Sequence, residues 1–301
     1  MIELKHKNCF ITGAASGIGR SFAIALAKEG MNLFITDIDM ENLKKTKSEI
    51  ESLGVRVYAN KCDVSSFEDL ECSANEFYSK LGSLDLLINN AGIVISGTLL
   101  ELELEDWKKV LDVNLWSIIH SIKVFLPRML ERKSGHIVNV ASAAGIFGST
   151  EPLPYITSKF AVVGISEALF GRLRSYGINV SVIVPSYVRT DIFSNLNLKY
   201  PKKLLDAFGK EKLEEIYKSI LNEMSGKAMH PDRAVKKYIS GIKKNQLYIF
   251  DTRVSLTLLA LKGKPQEFEE FLINYHKNSN NVSREQFLKF GINVDDYDLY
   301  Q

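Results

Sequence analysis

The sequence predicts an α/β fold: a doubly wound parallel sheet of about seven strands with a helical C-terminal extension. Three observations predict it. Short runs rich in Val, Ile and Leu alternate with longer amphipathic segments over most of the chain, the signature of strands and helices laid down in turn. A Gly-rich turn, Thr12 to Gly19, joins the first apolar run to the first amphipathic segment. Small polar residues (Asp37, Asp63, Asn89 and Asn90) close or follow three further strand patterns, where loops leave the carboxyl edge of such a sheet.

In chain order, the first strand is expected at Asn8–Thr12, with a helix starting near Gly17. Strands at Asn32–Thr36 and Arg56–Asn60 precede helices starting near Met40 and Ser66. A strand at Leu84–Asn89 precedes a long helix from Glu105, and His136–Val140 leads to a helix from Pro154. The last two strands are Asn179–Val184 and Leu247–Phe250, separated by a helix from Asp232. β-Branched and aliphatic residues fill these runs with little polar alternation, as expected when helices cover both sheet faces. Residues 1–250 read as one domain, with an insertion near 191–229 that breaks the alternation after a late strand. Such an insertion often covers the ligand crevice. The tail, 251–301, reads as short helices at Val254–Leu261, Pro265–His276 and Ser283–Phe290, the last opened by a Ser283/Gln286 capping box.

Composition narrows the classes of function. The chain has 301 residues, 46% of them hydrophobic and 25% charged, and a net charge of +2, which provides no extended basic footprint for nucleic acid. Three cysteines, Cys9, Cys62 and Cys72, form neither a disulfide framework nor a metal-ligand spacing, so no metal is expected and a reducing, cytoplasmic setting fits. The N-terminus lacks a signal-peptide core, and no apolar run reaches the ~20 residues of a membrane span. His120 and His136 are read as structural.

The turn Thr12-Gly-Ala-Ala-Ser-Gly-Ile-Gly19 is the first site signal. Gly13 permits the tight turn, Gly17 lets backbone approach a pyrophosphate, and Gly19 lets helix and strand pack closely. Ser16 and Ile18 belong to the same cradle, and the helix N-terminus offers N–H donors to phosphate. Asp37, at the end of the second strand, suits the hydroxyls of an adenosine ribose and repels a 2′-phosphate; no base stands at Ser16 or Ile38, although Arg20 is near. That favours NAD over NADP. The alternative for Asp37 is a helix N-cap, a role Asp39 serves equally well. Asp63 and Val64 suit the adenine end. Asn89 can tie neighbouring strands, and Asn90, Ala91 and Gly92 leave room for cofactor.

Tyr155 and Lys159 lie four apart, on one face of a predicted helix. An ammonium held beside a phenol favours the phenolate, so the pair can exchange a proton closer to neutrality than the ordinary phenol value of about 10.

With these residues in order, the chain resembles the single-domain branch of the short-chain dehydrogenase/reductase family, over roughly Lys5 to Phe250. The resemblance rests on Thr12–Gly19, Asn89–Gly92, Asn114 in Asp-Val-Asn-Leu, Ser142 in Asn-Val-Ala-Ser, Tyr155 with Lys159, and Pro185-Ser-Tyr-Val-Arg-Thr190. It implies a Rossmann-type fold and hydride exchange between nicotinamide and a secondary alcohol or ketone, with Tyr155 as general acid/base. Lys159 would lower the Tyr155 pKa and bind the nicotinamide ribose, Ser142 would orient the substrate oxygen, and Asn114 would hold a water on a proton relay. Pro185, Val188 and Thr190 would flank the nicotinamide. Ser186 departs from the family's glycine and would be strained if that position needs a positive φ.

For the substrate side, Val94, Ala143, Ala144, Phe147, Leu153, Tyr187 and Phe193 suggest an apolar wall with no Lys or Arg aimed into it, hence a small lipophilic alcohol or ketone. Two alternatives stand beside this reading: an NADP-preferring reductase of 3-oxoacyl or aromatic ketones, and an NAD(H)-binding regulatory or scaffold protein without turnover. By analogy, Glu105–Arg132 and Pro154–Tyr176 would pair two copies in a homodimer or homotetramer.

Overall fold

A computed structural model describes residues 3–297 apart from 151, 191, 193–196 and 227. In chain order the strands are β1 Asn8–Thr12, β2 Asn32–Asp37, β3 Val57–Lys61, β4 Leu86–Asn89, β5 Ile95–Ser96, β6 Gly135–Val140, β7 Ile178–Val184, β8 Asn197–Leu198 and β9 Tyr248–Phe250. The helices are α1 Gly17–Lys28, α2 Met40–Glu51, α3 Phe67–Leu81, α4 Leu104–Leu111, α5 Ser117–Arg132, α6 Leu153–Leu173, α7 Lys202–Phe208, α8 Lys210–Ser225, α9 Pro231–Lys243, α10 Arg253–Leu261 and α11 Pro265–Leu288. Seven strands form one parallel sheet in the order β3-β2-β1-β4-β6-β7-β9, and β5 pairs with β8 in a separate parallel ribbon. The order reverses between β1 and β4, the place where such sheets open a crevice at their carboxyl edge.

Period-two alternation explains the apolar strands. Cys9 and Ile11 of β1, with Leu33 and Ile35 of β2, face Phe22 and Leu26 of α1 and Val235 and Tyr238 of α9. Phe10 and Phe34, on the opposite face of the same strands, meet Phe77 of α3 and Phe125 of α5, with the Phe10 and Phe125 ring centroids 4.8 Å apart. Both faces are therefore core, and the polar Thr12 and Thr36 within these strands are buried with them.

Local chemistry sets the helix starts. Ser66 caps α3 by accepting from the Asp69 N–H, and Asp39 caps α2 by accepting from the Asn42 N–H. The long helix predicted from Glu105 is α4 and α5 joined by a π turn, Asp112–Trp116. As one rod of 29 residues it is long and apolar enough to cross a bilayer by length and composition. Here its Ile118, Phe125 and Met129 are buried against the domain.

The tail departs from expectation. Among the described residues it forms two α-helices and a 3₁₀ turn at Val294–Tyr297, and the two helices predicted at Pro265–His276 and Ser283–Phe290 are one continuous α11. Ser283 and Gln286 lie inside that helix. Their i, i+3 spacing is the same in a helix interior as in a capping box, and no Gly or Pro interrupts the chain between Pro265 and Gly291. One end of α11 packs Phe268, Phe271 and Tyr275 against Phe147. The other sends Phe287 into a small core with Tyr200, Leu204, Leu213 and Ile216 of the insertion, joined by Ile292 and Val294.

Candidate active site

A cavity of about 690 Å³ lies along the carboxyl edge of the sheet. At one end stand Gly13, Ser16, Gly17, Ile18, Asp37, Asp63 and Val64; Asn90, Ala91 and Gly92 form its middle. At the other end are Ser142, Tyr155, Lys159, Pro185, Val188 and Thr190. The fold thus joins into one cleft residues that the sequence spreads over almost 180 positions.

The glycine turn is built to leave space. Gly17 has φ +53°, a conformation that favours glycine, and a Cβ there would reach within 3.1 Å of the Thr190 side chain across the cleft. Gly19 is buried beneath the turn, where a Cβ would lie 2.0 Å from the Gly13 carbonyl oxygen; it packs the turn and does not line the cavity. Asn90 locks the same turn. Its Nδ2 donates to the Thr12 and Gly13 carbonyls at 3.0 and 2.9 Å, while Thr12 Oγ1 accepts from the Asn90 and Ala91 N–H groups. Asn89 donates to Asn139 Oδ1 at 2.9 Å, tying β4 to β6.

Asp37 ends β2 with one carboxylate oxygen accepting from the Ala15 N–H at 2.9 Å and the other from Asp39 N–H at 3.0 Å. Asp39 takes the N-cap of α2, and Asp37 lines the cavity. Arg20 is bound to Glu49 and does not line the cavity. Asp63 Oδ1 accepts from the Ser65 N–H and hydroxyl at 3.0 and 2.6 Å.

At the opposite end, α6 presents Tyr155 and Lys159 on its inner face. Lys159 is 4% exposed, its Nζ donates to the Val140 carbonyl at 3.0 Å, and it lies 5.5 Å from the centre of the Tyr155 ring. Burial without a carboxylate partner pushes the ammonium pKa down to about 8. Ser142 Oγ accepts from the Ala144 N–H at 3.1 Å, which leaves its hydroxyl proton to offer.

Asn114, expected to hold a relay water, is tied through Ser158 to the turn of α6 that carries Tyr155. It sits in the π turn, 1% exposed, behind the cavity wall. Its Nδ2 donates to the Ile93 carbonyl and to Ser158 Oγ, both at 3.0 Å, and its Oδ1 accepts from the Ile93 N–H at 2.8 Å. Ser158 in turn donates to the Tyr155 carbonyl at 2.7 Å. Gly92 closes the gap: a Cβ there would lie 3.4 Å from Asn114 Oδ1 and 3.5 Å from Lys159 Nζ.

The substrate wall also needs correction. Val94 and Tyr187 line the cavity, but Ala143, Ala144, Phe147 and Leu153 do not. Phe147 is instead covered by Phe271 and Tyr275 of α11, and Phe193 lies outside the described residues. Ile93 and Ile192 take their place, and Lys108 and Lys109 of α4 also reach the cleft, contrary to the expectation of a wall without lysine. Amphipathic spacing marks α4 as a surface helix, yet only tertiary docking says which surface it faces. Ser186 has no positive φ, so the strain considered for it does not arise.

The chain is similar to known proteins in sequence and fold. The sequence model described as short chain dehydrogenase matches residues 7–201. The chain is 38% identical over 200 residues to a CLA biosynthesis dehydrogenase/reductase of Lactiplantibacillus plantarum, covering 65% of this chain and 70% of that protein. It is 35% identical over 194 residues to a cyclohexanol dehydrogenase of an Acinetobacter species, covering 64% and 77%. A crystal structure of a short chain dehydrogenase/reductase from Burkholderia phymatum in complex with NAD superposes with a TM-score of 0.79 at 30% identity, covering 89% of this chain and 97% of that one.

Proposed function

Since this chain belongs to the short-chain dehydrogenase family and is an NAD(P)-dependent oxidoreductase of CH–OH and carbonyl groups, we propose that it works with NAD on lipophilic secondary alcohols or ketones, with Tyr155 as general acid/base. The observation that carries this reading is the single cleft that has the glycine turn and Asp37 at one end and Ser142, Tyr155 and Lys159 beside an apolar wall at the other.

The residues present fit a dinucleotide. Gly13, Ser16, Gly17 and Ile18 leave the space and N–H donors that phosphates need, and Asp63 and Val64 bound the adenine end. Asp37 favours a free ribose. Arg20 pairs with Glu49 and does not line the cavity, which supports NAD. Pro185, Val188 and Thr190 would flank the nicotinamide. When bound, that group supplies the hydride donor or acceptor at the substrate carbon.

Proton handling falls to the protein. Tyr155 takes the hydroxyl proton during oxidation and returns it during reduction. Lys159, buried and cationic, stabilises the negative charge that develops on the phenolic oxygen, and the low polarity around it strengthens that effect. Ser142 donates its hydroxyl proton to the substrate oxygen and so fixes that oxygen near Tyr155. Asn114 spends its amide on Ile93 and Ser158, which holds the wall and the Tyr155 turn of α6 in place beside the relay water that Asn114 would bind. Ile93, Val94 and Ile192 favour an apolar substrate. Pairing of two copies through α5 and α6, in a cytoplasmic homodimer or homotetramer, belongs to the same reading; exposed Trp116 supports it, and sedimentation tests it.

A reductase of 3-oxoacyl or aromatic ketones drawing on NADP is the second reading, favoured by Lys109 at the cleft; Lys108 there is paired with Asp112. The test is turnover on a panel of lipophilic secondary alcohols and ketones with each cofactor, for wild type and Tyr155→Phe. We expect NAD-linked turnover that falls by roughly 10²-fold or more in the variant, with NADH still bound. Unchanged turnover in Tyr155→Phe overturns the mechanism, and faster turnover with NADPH selects the second reading.

A further inference from the structure

The loop after β7 carries Pro185, Ser186, Tyr187, Val188 and Thr190 into the cavity. Val184 is the last residue of β7 in register with β9, opposite Phe250, so Pro185 comes level with Asp251. Proline has no N–H to continue the ladder. Its carbonyl instead accepts from the Ala143 N–H at 2.8 Å, which binds the loop to the turn that carries Ser142. The next donor along, the Ser186 N–H, is captured by a side chain: both carboxylate oxygens of Asp251 accept from it, at 3.1 and 3.0 Å.

Asp251 is 2% exposed. A carboxylate only accepts hydrogen bonds, and a buried one is costly unless its acceptors are used. The second partner is the Tyr238 hydroxyl, which donates to Oδ2 at 3.0 Å. Lys237 donates to the Asp251 carbonyl oxygen. Tyr238 is itself fully buried on α9 and stacks on Phe22 of α1, with centroids 6.0 Å apart. The Ser21 hydroxyl donates to Asp232 at 2.6 Å, fixing α9 to α1 a second time. A continuous set of packed and hydrogen-bonded groups therefore runs from the helix that follows the glycine turn, through α9, to Asp251 and the Ser186 loop.

We propose that Asp251 is a positioning residue for the nicotinamide half of the cofactor: held by Tyr238, its buried carboxylate fixes the Pro185–Thr190 loop at Ser186 relative to the glycine turn. The proposal rests on reading that loop as the nicotinamide wall. It makes the loop geometry independent of a glycine at 186, because the constraint is applied to the N–H, which every residue except proline has.

The test compares ligands that share one half of the cofactor. Dissociation constants for NADH and for ADP-ribose, which lacks the nicotinamide, are measured by titration calorimetry on wild type, Asp251→Ala, Asp251→Asn and Tyr238→Phe. We expect Asp251→Ala to weaken NADH about tenfold while ADP-ribose changes less than twofold, with Tyr238→Phe shifting the same ratio by about threefold. A general loss of structure would weaken both ligands together. If Asp251→Ala does not fold, the ratio is read from Asp251→Asn, which keeps an acceptor but loses the paired one, and from Tyr238→Phe. An unchanged NADH to ADP-ribose ratio in the folded variants overturns the positioning role alone. A wild type that binds neither ligand overturns the cofactor reading, and this proposal with it.

Discussion

Lys159 shows what the site costs at the scale of one residue. Its ammonium is buried with a carbonyl for partner, and the pKa falls from an ordinary 10.5 to about 8. Below pH 8 the folded and unfolded states are both charged and the desolvation penalty is complete. Between about 8 and 10.5 the unfolded state holds the proton more tightly, so stability rises with pH; above that range the penalty has gone. Lys159→Met is therefore expected to be inactive yet about 2 kcal/mol more stable than wild type at pH 7, after allowing for the Val140 carbonyl that loses its donor. Urea denaturation at pH 7 and pH 10 checks this: the advantage should shrink at the higher pH. Asp37 is the second residue with a sharp expectation. Asp37→Ala removes the carboxylate and also frees the Ala15 N–H, so NADH should bind about tenfold more weakly and NADPH should gain relative to it. Fluorescence titration reads the ratio; an unchanged ratio would show that Asp37 does not sense the ribose.

At the scale of elements, α11 is a brace. Its 24 residues span about 36 Å at the usual helical rise. It touches Phe147 in the segment between Ser142 and Tyr155 at one end and the insertion at the other. The insertion has its own apolar core, and Tyr217 meets Phe287 edge-on at 5.5 Å, while Phe208 meets Tyr297 at 5.4 Å. β8 then pairs with β5, directly after the cavity residues Ile93 and Val94. Lys199 adds ion pairs to Asp106 and Glu103 at 3.2 and 3.5 Å. Truncating Phe287 to Ala empties the centre of this small core, where such changes typically cost about 3–5 kcal/mol. Because this core is separate from the sheet, local opening should appear first. Hydrogen exchange in Lys202–Phe208 and Lys210–Ser225 should accelerate while NADH affinity stays within twofold. Acceleration confined to α11 would show that the insertion stands without it.

At the scale of the whole molecule, an acid-sensitive contact is expected at the amino edge of the sheet. Ser181 gives its single hydroxyl proton to the Gln246 carbonyl at 2.5 Å, so the 2.8 Å contact with His136 must be a bond donated by Nε2. Nδ1 is then the unprotonated nitrogen, buried without a partner among the described residues, and burial holds the imidazole pKa down at about 4. The group joins β6, β7 and the approach to β9. Above pH 6.5 His136 is neutral folded or unfolded and contributes no penalty. As pH falls from about 6.5 to 4 the unfolded state takes a proton that the folded state refuses, and roughly 3 kcal/mol of stability is lost. Denaturation midpoints across that range should fall less steeply for His136→Asn, which can still donate to Ser181. Equal slopes would place the acid sensitivity elsewhere.

Short-range pattern in the amino-acid order encodes part of this architecture. Apolar runs bounded by turns marked the strands, Gly13, Gly17 and Gly19 marked the turn, and Tyr155 with Lys159 shared a helix face because a helix repeats every 3.6 residues. Tertiary structure decided what depends on contacts between distant segments. Lys108 and Lys109 reach the cleft because of how α4 docks, and Phe147 leaves the wall because α11 covers it. Ser186 and Asp251 meet across 65 positions because β7 and β9 are neighbours in the sheet. No local period records such a meeting. A side chain's surroundings are fixed by the element that packs against it, and that partner is chosen by the burial of the whole chain.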